Sequence, residues 1–270
     1  MTDLNNTALS AHALALVHGA NRIVSGLDLE IEAGAFTALI GPNGCGKTTL
    51  LRALAGMHKP VSGEVRLEGV PIGGMRTRAL ARRVAMLAQS SGSVEGLDVE
   101  TLVRQGRYPR RPVFGPWRPE DSEAVERALA LAGMSALRHR GLDQLSGGQR
   151  QRAWIAMTLA QESDILLLDE PTTFLDLGHQ IEVLGLMRRL VDGGDTTVVA
   201  VLHDLSQAAR YADRIVLLAG GVLIAQGTPK EVITESNLLR AFGVRVRVIE
   251  DPETAAPLCI PRADQDMGAV

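Results

Sequence analysis

The sequence of 270 residues has few aromatic side chains, which make up 3% of it, and it contains only two cysteines, Cys45 and Cys259. So few aromatic rings argue against a surface on which nucleic-acid bases stack. Two cysteines do not form a disulfide framework, so the composition favours a reducing, cytosolic environment. A formal net charge of −3 gives no sign of nucleic-acid binding by bulk electrostatics.

Long hydrophobic runs are also missing. No window approaches 18 consecutive apolar residues, so no segment is predicted to span a membrane. The mildly apolar run ALSAHALALV lacks a basic leading segment and follows Asp3, so we do not expect a signal peptide. An apolar fraction of 46% is enough for the core of one large domain or two small ones. There is no internal repeat with a period of 20 to 50 residues.

The pattern of apolar segments predicts a parallel α/β core with a helical insertion. The segments FTALIG, VAMLAQ, DILLLD and TTVVAVL predict buried strands, and helix-like stretches follow most of them. Residues 13–32 alternate loosely and are interrupted by HGAN and SG, which predicts short antiparallel strands. Residues from about 95 to 162 have helical spacing, and RIVLLAGGVLIAQG predicts a hairpin. Residues 245–270 are predicted to be polar and irregular.

The segment GPNGCGKT, residues 41–48, fits the phosphate-loop pattern G-x-x-x-x-G-K-[ST] in full. Its glycines allow backbone N–H groups to surround phosphate oxygens, and the helix that follows adds the positive end of its dipole. Lys47 is expected to contact the β- and γ-phosphates, and Thr48 to ligate Mg²⁺. A strand before the pattern and a helix after it argue against a chance match. The predicted nucleotide contacts are Gly41, Pro42, Asn43, Gly44, Cys45, Gly46, Lys47, Thr48 and Thr49.

The segment DILLLDEPTT places two carboxylates at the end of a buried strand, where parallel α/β sheets bind their ligands. Asp169 suits a direct or indirect Mg²⁺ ligand. Glu170 is placed to polarise a water for attack on the γ-phosphate. Alone, the pair could equally be an acidic helix start before Pro171, but the phosphate loop favours the catalytic interpretation.

Gln89 and His203 also end predicted strands. A lone Gln or His at a strand end is more often structural. Because both are expected at the same sheet edge as Asp169, we predict that Gln89 touches the metal or its water and that His203 touches the γ-phosphate.

A second anion-binding helix start is predicted in LDQLSGGQRQR. Ser146 and Gln149 have the spacing of a capping box, and Gly147 and Gly148 leave the first backbone N–H groups uncovered. Helix physics alone favours a simpler interpretation, a well-capped helix with solvated arginines. The helix geometry also does not identify the anion that would bind there, or the molecule that carries it.

Taken together, these motifs resemble those of the ATP-binding subunits of ABC transporters. GPNGCGKT is similar to the Walker A motif, ILLLDE to Walker B, LSGGQ to the signature, Gln89 to the Q-loop residue and His203 to the switch histidine. LDLGHQ resembles the D-loop, with Asp176 as its aspartate. The resemblance covers nearly the whole chain in family-like order. It implies that LSGGQ caps the ATP of a partner subunit.

The resemblance also implies roles for individual residues. It implies that Lys47, Glu170 and His203 are catalytic. It also implies that Thr48, Gln89 and Asp169 bind the Mg²⁺ that accompanies ATP. The residues acting on the partner's ATP are Ser146, Gly147, Gly148 and Gln149. The family usually stacks an aromatic residue on adenine, and His18 of LVHGANR takes that position here.

Within the family, GRYPR and LLLDEPTTFLDLGHQIEVL resemble the iron-chelate importers, and ferric enterobactin importers are nearest in pattern. Importers of ferrichrome, haem and vitamin B12 share much of this pattern. The resemblance implies an ATPase homodimer beneath membrane permease subunits, fed by a periplasmic or lipid-anchored substrate-binding protein. Such a subunit lies peripherally on the cytoplasmic face of the inner membrane, with no nucleic-acid partner.

The implied fold is α/β, a P-loop NTPase (RecA-like) core with an N-terminal antiparallel β subdomain and an α-helical signature subdomain. One ABC ATPase domain is expected over residues 1–245, with its core at 1–89 and 161–245 and the helical subdomain at about 90–160. Residues 246–270 would form a C-terminal extension.

Two other classes are weaker alternatives. Soluble ABC ATPases of DNA repair, chromosome organisation or translation usually carry coiled-coil insertions, metal modules or tandem ATPase domains, which this sequence lacks. A P-loop kinase or GTPase would not explain SGGQ, and no N-K-x-D base-reading motif is present.

Overall fold

A computed structural model of the chain describes residues 6–19, 21–88, 96–112, 115–173, 175–194 and 196–262. Gln89, a predicted ATP and metal contact, lies outside the described residues.

The first sheet is antiparallel, with strand order β2-β1-β4-β5. Its strands are β1 (Thr7–His18), β2 (Asn21–Glu32), β4 (Ser62–Leu67) and β5 (Val70–Pro71). The expectation of short strands over 13–32 is wrong, because β1 and β2 each run for 12 residues. The turn-prone Ser25-Gly26 lies inside β2, where Gly26 has a φ of 60° and shifts in register accommodate it without ending the strand.

The core sheet has the order β10-β9-β3-β8-β7-β6, in which the five strands from β9 to β6 are parallel. The strands are β3 (Phe36–Ile40), β6 (Val84–Leu87), β7 (Ile165–Leu168), β8 (Thr197–Val201), β9 (Arg214–Ala219) and β10 (Val222–Gly227). The central strands are apolar along their length because both faces of the sheet are covered. The carboxyl ends of β3, β8 and β7 therefore lie side by side at one edge.

Helices cover the core sheet and form a separate block. They are α1 (Lys47–Leu54), α2 (Thr77–Ala81), α3 (Val99–Gln105), α4 (Pro119–Leu131), α5 (Gly147–Ala160), α6 (Leu177–Asp192), α7 (Leu205–Tyr211), α8 (Pro229–Val232) and α9 (Glu235–Phe242). The antiparallel sheet and α1 bury one face of the core sheet, and α6, α7 and α9 bury the other. Helices α3, α4 and α5 have a core of their own, with Val103, Leu129 and Ala156 fully buried.

The predicted α/β fold with an antiparallel N-terminal sheet and a helical insertion is confirmed. Among the residues that the structure describes, no helix is both long enough and apolar enough to cross a membrane.

The C-terminal segment departs from the prediction of an irregular tail. Strands β11 (Val246–Glu250) and β12 (Pro257–Pro261) form an antiparallel hairpin, paired from Val246–Pro261 to Glu250–Pro257. Val248 and Cys259, opposite each other in the register, pack against the core that contains α7. The hairpin forms because this face can bury its apolar side chains against the core.

Candidate functional site

The phosphate loop joins the end of β3 to the start of α1. Helix α1 begins at Lys47, directly after Gly46, so the unpaired N–H groups of its first turn lie within the loop. Gly41 requires glycine, because its φ is 149° and an added Cβ would lie 2.0 Å from the carbonyl oxygen of Leu218 in β9. This close approach fixes the loop against the core sheet. The arrangement is one that holds phosphate at a helix N-terminus.

Lys47 is buried within this loop, with 6% of its surface exposed. Its ammonium donates hydrogen bonds to the carbonyl oxygens of Gly41 at 2.8 Å and Pro42 at 2.9 Å, and it lies 3.9 Å from Sγ of Cys45. Burial raises the pKa of the Cys45 thiol, against the opposing effect of the Lys47 charge. The ammonium is thus held at the loop by the loop's own backbone.

Thr48 and Asp169 connect the phosphate loop to the end of β7. The Thr48 hydroxyl donates a hydrogen bond of 2.9 Å to Oδ1 of Asp169, whose side chain is fully buried. Oδ2 of Asp169 has no hydrogen-bond partner. Burial raises the pKa of the Asp169 carboxyl, and Thr48 partly opposes the shift. A buried, half-satisfied carboxylate beside a hydroxyl is a polar group that needs a further partner.

Glu170 and His203 form a pair at the ends of the neighbouring strands β7 and β8. Nε2 of His203 lies 2.9 Å from Oε1 of Glu170, and the Thr173 hydroxyl donates to Oε2 at 3.0 Å. Glu170 has a φ of 53°, a conformation that few residues other than glycine adopt. The carboxylate is therefore held by its surroundings in a specific orientation.

A cleft of about 590 Å³ collects most of the predicted nucleotide contacts. Its lining includes His18, Asn43, Gly44, Gly46, Lys47, Thr48, Thr49, Glu170 and His203. The structure adds Ile23 and Arg52, which sequence reasoning missed. Both follow from the fold: Ile23 from the pairing of β1 with β2, and Arg52 from its position on α1. Gly41, Pro42, Cys45 and Asp169 do not line this cleft.

A second cleft of similar volume, about 610 Å³, lies between β1, β2, β9 and β10. It is lined by the carboxylates Asp28, Glu30 and Glu32 and by Arg214, which pairs with Glu32, and it contains none of the predicted site residues. Volume alone therefore does not identify the functional cleft, and the phosphate loop does.

The signature segment lies outside the cleft of its own chain. Ser146 is the N-cap of α5: its hydroxyl accepts from the N–H of Gln149 at 3.3 Å, and Oε1 of Gln149 accepts from the N–H of Ser146 at 3.1 Å. The capping box predicted from the sequence is thus present. Asp176 is the N-cap of α6 and likewise does not line the cleft. The N-termini of α5 and α6 therefore do not contribute to the cleft of their own chain.

The donor set at the end of β7 fits Mg²⁺. Thr48 and Asp169 offer a hydroxyl and a carboxylate oxygen, the hard ligands that Mg²⁺ binds together with water and substrate phosphates. The unpartnered Oδ2 of Asp169 is the observation that supports this fit. Among the described residues there is no group of three His, Cys, Asp or Glu side chains that would form a metal cage by itself. Such a site would need the phosphates of the nucleotide to complete it.

Comparison with known proteins agrees with this geometry. The family model of the ABC transporter matches residues 24–173. The chain is 47% identical to the ferric enterobactin transport ATP-binding protein of Escherichia coli K12 over 253 residues, 94% of this chain and 93% of the relative. Residues 24–173, which the family model matches, include both the phosphate loop and the signature segment.

Two solved structures share the fold. A protein assigned to the metal-chelate type of ABC transporter, in an inward-facing conformation, has a TM-score of 0.82 and 29% identity over 95% of this chain and 98% of its own. A dimeric bacterial ABC transporter cassette has a TM-score of 0.73 and 26% identity over 82% of this chain and 98% of its own. On the evidence of its cleft, its fold and its sequence, the chain belongs to the ABC transporter family, as an ATP-binding subunit.

Proposed function

We propose that the chain hydrolyses ATP with the cleft at the ends of β3, β7 and β8. Lys47 and the loop N–H groups stabilise the charge of the γ-phosphate. Because the fold already holds these groups in place, they need little rearrangement when the charge develops. Glu170 accepts a proton from the attacking water, and His203 holds the γ-phosphate. The observation that carries this proposal is the convergence of Lys47, Thr48 and the Glu170–His203 pair on one cleft.

In this proposal Thr48 and Asp169 hold Mg²⁺, together with Gln89. Bound there, Mg²⁺ would neutralise part of the negative charge of the nucleotide phosphates. Asp169 keeps Thr48 oriented through its Oδ1, and its Oδ2 remains for the ion or for a water bound to it.

The chain acts as a homodimer in which the signature turn Ser146–Gln149 caps the ATP of the partner. Its position outside the cleft of its own chain supports this arrangement, as does the dimeric solved relative. His18, at the end of β1, packs against the adenine ring. Residues 1–89 and 161–245 form the nucleotide-binding core, residues 90–160 the helical subdomain, and 246–270 an extension.

We propose that the dimer energises import of a ferric siderophore through membrane permease subunits that receive it from a substrate-binding protein. The subunit would lie peripherally on the cytoplasmic face of the inner membrane. The support is the identity of 47% to the ferric enterobactin transport protein and the likeness to a metal-chelate type transporter. Deletion of the gene should abolish uptake of the labelled ferric siderophore. Unimpaired uptake would contradict the proposed cargo but not the proposed ATPase activity.

The catalytic proposal is tested by Glu170→Gln. The variant should bind MgATP as the wild type does and form an ATP-trapped dimer, but its turnover should fall by roughly 10²–10⁴-fold, the usual contribution of a general base. Glu123→Gln on α4, an exposed carboxylate, is the control and should leave turnover unchanged. Wild-type turnover in Glu170→Gln would remove Glu170 from the mechanism.

A further inference from the structure

His179 lies between the two motifs that are proposed to act on a partner's ATP. It is in the first turn of α6, three residues after the N-cap Asp176, and 34% of its side chain is exposed. Its backbone N–H donates to Oδ1 of Asp176 at 2.9 Å, and its Nδ1 lies 2.7 Å from the same oxygen. These hydrogen bonds from His179 lower the pKa of the Asp176 carboxyl, so the carboxylate stays ionised and accepts both. A carboxylate only accepts hydrogen bonds, so this contact requires the tautomer with the proton on Nδ1 and orients the ring.

The same ring lies against the signature turn at Gly148. A Cβ added to Gly148 would be 3.2 Å from Cγ and Cδ2 of His179, closer than an ordinary van der Waals contact. Gly148 does not have a positive φ, so a side chain there would be limited by its contact with this ring and not by backbone conformation. The neighbouring Gly147, by contrast, has nothing within 4 Å of its Cβ position. The imidazole thus packs closely on the backbone of the signature turn at Gly148.

Two further contacts hold the same face of α5 against the segment that follows β7. Nε2 of Gln151 donates to the carbonyl oxygen of Pro171 at 3.2 Å, and Arg152 forms an ion pair of 3.0 Å with Glu182 in α6. Positions 148, 151 and 152 are spaced i, i+3 and i+4, so they share one helix face. His179 makes the contact at the N-terminal end of this face, where the uncovered N–H groups are.

We propose that His179 is a positioning residue that fixes the signature turn relative to Asp176, so that both helix starts meet the partner's ATP as one unit. The proposal rests on the proposed ATP-dependent dimer. Without the ring, Gln151 and Arg152 would still hold the following turns of α5, but the signature turn itself would lose its contact with the start of α6. Ordering this turn when the dimer forms would weaken association. ATP binding to one chain should not change, because His179 does not line the cleft.

The test compares His179→Ala with His139→Ala in a Glu170→Gln background. His139 has 76% of its side chain exposed in the helical block and serves as the control. Analytical ultracentrifugation at saturating MgATP measures the dimer dissociation constant, and a fluorescent nucleotide measures binding to the single chain. We expect His179→Ala to raise the dimer dissociation constant about tenfold, with nucleotide binding and Tm unchanged, and His139→Ala to change none of them. With Glu170 intact, His179→Ala should lower kcat and leave KM unchanged.

Two conservative variants separate the two contacts of the ring. His179→Asn keeps an N–H donor for Asp176 but loses the flat face against Gly148, and His179→Phe keeps the face but loses the donor. Both should have dimer dissociation constants between those of the wild type and His179→Ala. If the alanine variant does not fold, these two carry the test by the same criteria.

Three results would overturn the proposal. The first is an unchanged dimer dissociation constant in all three variants. The second is a loss of single-chain nucleotide binding or of Tm that accounts for the weaker dimer, which would indicate a general structural role. The third is failure of Glu170→Gln itself to dimerise with ATP while His179 is intact, which would overturn the proposed function as well and is thereby distinguished from the first two.

Discussion

Thr48 and Asp169 are joined by a hydrogen bond of 2.9 Å, although 121 positions separate them in the chain. The bond ties the first turn of α1 to the end of β7 and leaves the second carboxylate oxygen without a partner. Two properties follow for Asp169. Because burial raises the pKa of its carboxyl, we expect the charge of Asp169 to destabilise the fold in the absence of nucleotide. The same charge is the one that would bind Mg²⁺.

We expect Asp169→Asn to unfold at a higher temperature than the wild type without nucleotide and to lose activation by Mg²⁺. The folded-state pKa of Asp169 is raised by burial, so above the ordinary Asp pKa of about 3.9 the folded state binds more protons than the unfolded state. Wild-type stability should thus fall, relative to the variant, as pH rises from about 4 through the raised pKa, and then level off. Each kcal/mol by which the substitution increases the free energy of unfolding should raise Tm by about 2–4 °C.

Thermal unfolding in EDTA between pH 4.5 and 8 measures this difference. Adding MgATP should raise the Tm of the wild type but have much less effect on the variant, because bound ligand stabilises only the state that holds it. A variant that unfolds below the wild type at every pH would show that the carboxylate is stabilised by its surroundings and not penalised.

Ser146→Arg should spare MgATP binding to the single chain and abolish both hydrolysis and ATP-driven dimerisation. The N-cap serine contacts no part of its own cleft, so a bulky cation there would obstruct only the partner. Loss of the cap should also lower the free energy of unfolding by about 1 kcal/mol. Equilibrium dialysis and gel filtration with ATP make the measurement, with the exposed Ser135→Arg as control. Weak nucleotide binding by the variant chain would mean that the motif serves the ATP of its own chain.

His18→Ala should raise the KM for ATP about fivefold and leave kcat unchanged, because loss of about 1 kcal/mol of stacking weakens ground-state and transition-state binding equally. His18→Tyr should lower the KM, since its ring is larger. The control is His12→Ala, which lies in the same strand but outside the cleft. Comparing ATP with GTP turnover completes the test, and a strong ATP preference that survives in His18→Ala would remove His18 from the site.

Asp121→Ala should destabilise the helical block. Nε of Arg107 lies 3.0 Å from Oδ1 of Asp121, and both side chains are only 5% exposed. Arg107 keeps an ion pair of 2.7 Å with Glu162 in the variant, so the cost should be smaller than the roughly 3–5 kcal/mol of a stranded buried charge. Urea unfolding measures the loss. Glu123→Ala, two residues away and exposed, should change the free energy of unfolding by less than about 0.5 kcal/mol. Equal stability of the two variants would contradict the role of the buried pair.

Features fixed by neighbouring residues could be predicted from the sequence. The phosphate loop, the strand before Asp169 and the capping box of Ser146 and Gln149 each depend on a few consecutive residues. The hairpin β11–β12 was missed although VRVIE alternates in part and DPET has turn composition. Its formation depends on burial of Val248 and Cys259 against a distant part of the fold, which no local pattern reports.

Contacts between distant segments could not be predicted in the same way. The packing of His179 on Gly148 joins two helix starts from different parts of the chain. A histidine in the first turn of a helix is unremarkable by composition, so nothing in LDLGHQ distinguishes it. Ile23 and Arg52 were missed for the same reason, since their place in the cleft requires the registration of β1, β2 and α1.

The position of the signature turn outside the cleft of its own chain has a genetic consequence. Consider a mixed dimer of one Glu170→Gln chain and one Ser146→Arg chain. One of its two ATP sites takes its phosphate loop and residue 170 from the first chain and its signature from the second, so this site carries both substitutions. The other site receives an intact half from each. Two alleles that are each inactive alone would thus restore one complete site when expressed together.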